Sequence, residues 1–466
     1  MPSPPGLKGL HAPAPNIPYF TPRHLQSPGT PTTRRDASAP APEIPTLFTP
    51  LRIRNATLRN RIVVAPMCQF STAPEGPAIG ALTDYHIATL GHYALKGAAL
   101  VFVEATGVQR NGRISAYCPG LWSDGQIEGL RRVSDFVKSQ GALAGVQLAH
   151  AGRKASVAPP WARGSAAAKR TGLRADAEQF GWPEDVVGPS GGEEQTWDGP
   201  GRKAEESGHW PPRELTRAEI RELVDDWGRA AKRAVQAGVD VIEIHAAHGY
   251  LIHQFLSPVS NHRTDEYGGS FENRTRLLLE IARAMRREMP EGMPLFVRVS
   301  ATEWLEGSDV EKKVGGSWTV EETIRLAKLL PDVGVDLLDV SSGGNHPKSA
   351  LQGVRVLPTD YQTKNAARIR KELREAGCNL LVGAVGLITE AEQARDLLEA
   401  DKLLTQEAFD AKNATEAKDG NEPAADIVLV ARQFMREPEW VLRVAWKLGV
   451  DVAWPNQFLR VRFPKI

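Results

Sequence analysis

The stretch Val241-Ile242-Glu243-Ile244-His245-Ala246-Ala247-His248-Gly249-Tyr250 begins as a mostly apolar strand and ends by delivering two histidines and a tyrosine. Val241, Glu243 and His245 share one face of a period-2 strand, and Ile242 and Ile244 share the other. A parallel strand buried on both faces reads as near-continuous apolar residues, so a glutamate and a terminal histidine require an explanation. For one histidine, a core position satisfied by its neighbours is the ordinary explanation. A cluster at a strand's carboxyl end points to a site instead.

Outward from this stretch the same pattern recurs. Towards the N-terminus, Ala144 to Leu148, Leu100 to Glu104 and Arg61 to Pro66 read as strands; towards the C-terminus, Leu295 to Val299, Leu337 to Val340, Leu380 to Gly383 and Ile427 to Val430 do. Helical spacing fills the intervals, as in Ile220, Leu223, Val224 and Trp227, or Leu277, Leu278, Ile281 and Met285. Thr216 with Glu219, Thr319 with Glu322 and Thr389 with Glu392 read as capping boxes. Eight strand–helix units in strict alternation predict parallel pairing through right-handed crossovers. Eight units favour an α/β fold of the TIM (β/α)8 barrel type, because closure leaves no edges. An open doubly wound sheet is the alternative. In a barrel the chemistry belongs at the carboxyl ends of the strands.

The 466 residues are 41% hydrophobic and 24% charged, ordinary for a chain that buries a large core. A net charge of +1 gives no electrostatic reason to expect nucleic acid or an anionic membrane as partner. No apolar run approaches the roughly 20 residues that span a bilayer, and no secretory signal is visible. Cys68, Cys118 and Cys378 make neither a disulfide framework nor an iron–sulfur site by themselves. A cytoplasmic location is the expectation. Residues 1–44, rich in Pro, Ser and Ala, read as a disordered or loosely attached arm with Asn16 to Phe20 as its docking point; residues 45–466 read as the barrel. Residues 157–213 and 401–424 read as loop insertions.

The strand ends select the candidates: Cys68, Ala105, Gln147 with Lys154, the run from His245 to Tyr250, Arg298, the glycines Gly383 and Gly386, and Ala431 with Arg432. The Gly383-Ala384-Val385-Gly386 turn and Ala431-Arg432 together suit a phosphate, since small residues let backbone amides approach the anion and arginine adds charge. A tight turn needing glycine is the structural alternative. Arg298 and Glu243 sit inside apolar strands, where an unpaired charge is costly. They form a structural salt bridge, or Arg298 faces a ligand that gains negative charge. Two histidines do not complete a metal site. His245 and His248 converging on one oxygen, with Tyr250 as an acid, fit better. Lys154 keeps a Schiff-base barrel aldolase open as a rival.

Ala65-Pro66-Met67-Cys68, the run Gln147 to Lys154, the run His245 to Tyr250 and the run Ser260 to Ser270 together resemble the old yellow enzyme family, with Cys68 and an arginine near the C-terminus pointing to its thermophilic-like branch. The resemblance covers about Leu47 to Phe463. It implies an FMN-dependent ene-reductase (an NADPH dehydrogenase) that uses NADPH or NADH on enones and related activated alkenes. Ala65, Pro66, Met67, Cys68, Ala105, Gln147 and Arg298 would then contact the flavin ring, and Gly386, Ala431 and Arg432 would lie at its phosphate. His245 and His248 would hold the substrate carbonyl, and Tyr250 would protonate the α carbon.

No metal is implied. No separate dinucleotide fold is visible either, since Gly199 to Ala204 lacks a preceding strand. The nicotinamide would therefore share the substrate pocket. Phe70 stands where the branch usually has a tyrosine, and Ala431 where it has a glycine. Arg460 matches an arginine that reaches a neighbouring subunit's site in that branch, implying a homodimer or larger homo-oligomer. The rival within the resemblance is a flavin-binding barrel that isomerises its substrate or does not turn over.

Overall fold

The computed structural model describes residues 12–32, 44–162, 173–199, 208–351, 354, 356–399 and 422–464. In chain order its strands are β1 (Leu51–Ile53), β2 (Ala56–Leu58), β3 (Ile62–Val64), β4 (Leu100–Gly107), β5 (Leu143–Ala149), β6 (Val187–Gly188), β7 (Arg213–Glu214), β8 (Val241–Ala246), β9 (Leu295–Ser300), β10 (Leu337–Ser341), β11 (Leu381–Val385) and β12 (Ile427–Val430). Eight of them close a parallel barrel in the order β10-β11-β12-β3-β4-β5-β8-β9. Closure excludes the open sheet.

The helices used below are α1 (Asp84–Leu95), α2 (Ile127–Ser139), α3 (Arg217–Gln236), α4 (Leu251–Leu256), α5 (Phe271–Glu288), α6 (Val320–Ala327), α7 (Thr363–Glu375), α8 (Ala391–Asp396), α9 (Arg432–Arg436) and α10 (Trp440–Lys447). α3 starts where its capping box predicts. The Glu219 amide donates to Thr216 Oγ1 at 3.2 Å, and the Thr216 amide donates to Glu219 Oε2 at 2.8 Å. It buries Ile220, Leu223 and Trp227, each of the larger apolar chains stabilising the fold by about 1.5–3 kcal/mol. At α6 only half of the second box forms, because Glu322 turns away to Arg274. The third box does not form. The cap of α8 is Glu390, the Thr389 amide donates to Gln393 Oε1, and the Thr389 carbonyl accepts from Trp440 Nε1.

Alternation along the strands sorts the side chains into two cores. Ile242, Ile244, Val297, Val299, Leu338 and Val340 face the helices. Val63, Leu100, Phe102, Val241, Phe296 and Ile427 fill the barrel interior, where the β1–β2 ribbon joins them through Ile53 and Leu58. This apolar plug leaves the next interior layer for Gln147, Glu243, Arg298 and Asp339, brought level by the pairs Gln147↔Glu243 and Arg298↔Asp339.

Residues 12–32 meet the body through backbone from Gly29 to Thr32 and through the side chain of His24, whose Nε2 lies 3.0 Å from Gln140 Oε1. Gly29 and Thr32 donate to the carbonyls of Ala453 and Asp451, and Pro31 bridges Val452. The expected docking point at Tyr19 and Phe20 is corrected: these rings are 52% and 67% exposed. The described parts of the 157–213 insertion carry the β6–β7 pair and lie over the carboxyl ends. The expected insertion at 401–424 lies almost wholly outside the described residues, as do residues 200–204 of the discounted glycine motif.

Candidate active site

β8 delivers His245 into the barrel mouth, and the turn after it delivers His248 and Tyr250. The ring of His245 lies 5.1 Å from that of His248 and 4.8 Å from that of Tyr250, both edge-on. His245 Nδ1 accepts the Ala247 amide at 3.2 Å. A neutral imidazole that accepts at one nitrogen carries its proton on the other. Burial, with help from His248 and Arg298, holds His245 well below the ordinary imidazole range, so the ring is a neutral Nε2–H donor. His248 Nε2 lies 2.6 Å from Ser341 Oγ. Burial, then Arg298 and Lys154, hold His248 low as well. The Ser341 hydroxyl either donates to Nε2, which leaves Nδ1–H as the free donor of His248, or accepts from Nε2–H.

The His248 backbone is clamped. Its φ is +58°, a left-handed conformation that a non-glycine residue adopts only when its surroundings impose it. The amide donates to Ser300 Oγ at 2.9 Å, and Lys154 Nζ donates to its carbonyl at 2.9 Å and to Gly344 O at 3.0 Å. Close approach of the β8 and β10 loops needs glycine on both: a Cβ on Gly249 would lie 2.3 Å from Gly344 O. His253 Nδ1 accepts the Gly249 amide at 2.9 Å, and its Nε2 faces the buried Glu303 at 3.4 Å. Burial holds Lys154 down at about 7, as a nucleophilic lysine would require, but its ammonium is committed to two carbonyls and lies between the rings of Trp197 and Tyr250.

Beneath the histidines, Arg298 Nε donates to Asp339 Oδ2 at 2.5 Å and lies 3.6 Å from Glu243 Oε2, which accepts Gln147 Nε2 at 2.6 Å. The salt bridge and the ligand-facing reading of Arg298 are therefore compatible. Burial works against the guanidinium charge, yet Asp339 and Glu243 outweigh it and hold Arg298 above its usual value.

Arg298 also lines a cavity of about 390 Å³, within the range of small-molecule sites. Ala65, Pro66, His248, Ser341, Gly386, Ala431 and Arg432 share its wall. Arg432 and Arg436, for which no carboxylate partner occurs among the described residues, line it together with Arg298. Gly386 has φ +116°, and a Cβ there would meet Gln362 at 2.9 Å. Two guanidiniums with no described carboxylate partner, sharing a wall with a glycine turn, suit a phosphate, and a buried guanidinium suits an electron-accepting ring. The residues fit a flavin nucleotide.

The remaining candidates, Met67, Cys68, Phe70, Ala105, Gln147, His245 and Tyr250, do not line this cavity. Gln147 is bonded within the buried layer, and Ala105 lies at the irregularity of β4 between Val103 and Thr106. The Cys68 thiol is held well above its usual value by burial, then Cys118 and Glu104, and therefore stays protonated. Met67 is half-buried against the outer core. Phe70 has φ +51° and packs edge-on against Trp161 of the insertion at 5.7 Å. Sequence reasoning missed Ser341, Ser342, Tyr361, Gln362 and Arg436 in the wall, and Ser300 behind it. The carboxyl-end rule applied to Ser341-Ser342-Gly343-Gly344 was the available signal for the serines. Among the described residues no cluster of His, Cys, Asp and Glu could hold a metal, and no helix is long and apolar enough to cross a membrane.

Comparison with known proteins agrees with this geometry. The profile of the NADH:flavin oxidoreductase / NADH oxidase family matches residues 46–402. An NADH:flavin oxidoreductase of Gibberella zeae is 44% identical over 446 residues, 95% of this chain and 94% of that one. An NADPH dehydrogenase of Bacillus velezensis is 36% identical over 417 residues, 89% of this chain and 98% of that one. The solved structure of an old yellow enzyme homologue from Zymomonas mobilis superposes with a TM-score of 0.59 at 24% identity, covering 91% of this chain and 97% of that one, a likeness of fold.

Proposed function

The chain belongs to the NADH:flavin oxidoreductase / NADH oxidase family, that of the old yellow enzymes, and from that premise we propose that it reduces the carbon–carbon double bond of α,β-unsaturated carbonyl compounds with NAD(P)H. Its cofactor is FMN and its hydride donor a reduced nicotinamide. When bound, FMN supplies hydride exchange between nicotinamide and alkene. Ala65 to Cys68, Ala105, Gln147 and Arg298 would hold the ring, and Gly386, Ala431 and Arg432 the phosphate.

His245 and His248 bind the substrate's carbonyl oxygen through Nε2–H and Nδ1–H, and stabilise the negative charge that grows on it as the β carbon is reduced. Tyr250 gives its phenolic proton to the α carbon and is reprotonated from solvent. Burial keeps that phenol far above its ordinary value, so it stands as an acid throughout the working range. Phe70 contributes an apolar wall without a hydroxyl. The observation that carries the reading is the convergence of two neutral imidazoles on one mouth, His245 presenting Nε2–H because Nδ1 accepts the Ala247 amide and His248 held against Ser341.

The test is direct. The purified chain should be yellow, NADPH or NADH should bleach it, and an enone should restore the colour with loss of its double bond. Bleaching without reoxidation by any enone would favour a barrel that does not reduce alkenes. Assembly of a homo-oligomer through Arg460 is supported by that residue's place in the exposed turn Asn456–Val461.

A further inference from the structure

The interior layer beneath the cavity holds two carboxyl groups and one guanidinium. Glu243 and Asp339 are fully buried, and Arg298 is 5% exposed. Two carboxylates against one cation would leave a net negative charge in a closed interior, which is far more costly than a neutral site. Among the described residues no other cation acts on the pair. From β5 the facing group is the uncharged Gln147, from β9 Arg298 itself, from β10 Asp339, and the next interior residue along β8 is the neutral His245.

The hydrogen bonds show the same shortage of protons. Glu243 Oε2 and Asp339 Oδ2 have donors, whereas Glu243 Oε1 and Asp339 Oδ1 are buried with none. The two side chains also lie within hydrogen-bonding reach of one another. A single proton bound to the pair supplies a donor where two carboxylates offer only acceptors, as in other closely spaced buried carboxyl pairs.

We propose that Glu243 and Asp339 share one proton beneath Arg298, and that this proton sets the charge the protein presents to the flavin ring. The proposal rests on the reading that FMN fills the cavity which Arg298 lines. Glu243 is then a positioning residue that acts through Arg298. Hydride from the nicotinamide brings two electrons and one proton into the ring, leaving it one unit more negative. While the pair keeps its proton, Arg298 and one carboxylate balance each other and the new charge meets a neutral site. Once the pair has lost that proton, the new charge draws one from water onto Glu243 or Asp339, and reduction takes up two electrons and two protons in all. Burial, and after it the neighbouring Asp339, raise Glu243 above the ordinary carboxyl range despite Arg298, which moves the change towards higher pH.

The experiment is the midpoint potential of the FMN-loaded enzyme across pH, read from the flavin spectrum against reference dyes. A two-electron couple shifts by about 30 mV per proton for each pH unit. The wild type should fall by about 30 mV per unit below the transition and about 59 mV per unit above it. Glu243→Gln, which keeps the shape and the bond to Gln147 but cannot titrate, should hold the shallower slope throughout. A straight line for the wild type, or the same break in Glu243→Gln, overturns the proposal. Should Glu243→Gln fail to fold, the wild-type line still decides, and Asp339→Asn should likewise lose the break. A chain that takes up no FMN overturns the functional reading and the proposal with it, whereas a normally reducible flavin with an unbroken line sinks the proposal alone.

Discussion

Replacing Tyr250 by phenylalanine removes one oxygen and little else. The ring's packing survives: its edge-on contact with His245 at 4.8 Å and its face towards Lys154 at 5.2 Å depend on the π system, not on the hydroxyl. No described residue hydrogen-bonds the phenol, so no partner is orphaned. The expected loss is therefore catalytic. A positioned general acid contributes about 10²–10⁴-fold, which corresponds to roughly 3–5 kcal/mol of barrier. That loss should fall on one half-reaction. Stopped-flow mixing of oxidised enzyme with NADPH should show wild-type bleaching, while mixing of reduced Tyr250→Phe enzyme with an enone should show reoxidation slowed by that factor. Because burial raises the phenol, wild-type reoxidation should not fall as pH rises through the ordinary phenol value of about 10. Equal slowing of both half-reactions, or unchanged reoxidation, would refute the assignment.

Three further outcomes follow from the same geometry. His245→Ala removes one neutral donor, so phenolic ligands that imitate the enolate oxygen should bind roughly tenfold more weakly, at about 1–1.5 kcal/mol for the lost bond; unchanged affinity in a flavin-shift titration counts against the oxyanion role. Gly249→Ala sets a Cβ 2.3 Å from Gly344 O at φ +71°, where no flexible side chain can yield; the melting temperature should drop, with strain of about 1–3 kcal/mol, and ligand affinity with it, while a wild-type melting curve would show that the two loops are not in contact. Glu104 is neutral in the fold up to about 8, against an ordinary 4.5, because burial outweighs the Gln69 and Phe70 amides. Its folded value is raised, so its contribution is complete below about 4.5 and is lost as pH rises towards 8. Urea midpoints should fall over that window in the wild type and stay flatter in Glu104→Gln; parallel falls would show that Glu104 is not responsible.

What was legible in the chain divides by the range of the interaction that specifies it. The barrel was legible because strand alternation and helical spacing are local, and because a box such as Thr216 with Glu219 closes within a single turn. The Thr389 box failed because Gln393, one turn on, took the Thr389 amide in place of Glu392, while the distant Trp440 took the Thr389 carbonyl. Tyr19 and Phe20 misled for a related reason: aromatic composition pointed to a docking site, whereas the arm docks by pairing backbone from Gly29 to Thr32 with Asp451 to Ala453.

The same distinction runs through the site. The tautomer of His245 is written two residues away, in the Ala247 amide, and so belongs to the motif itself. The ring of His248 meets its partner on β10, in Ser341, and the backbone carrying it is held by Ser300 of β9 and by Lys154 beyond β5. Asp339 likewise acquires its meaning only because strand register sets it opposite Arg298. Two histidines spaced as these are can be metal ligands, acids or donors. Closure of the barrel brings a hydroxyl, a lysine and a buried charge pair from three other strands to bear on them, which suits them to the proposed donor role.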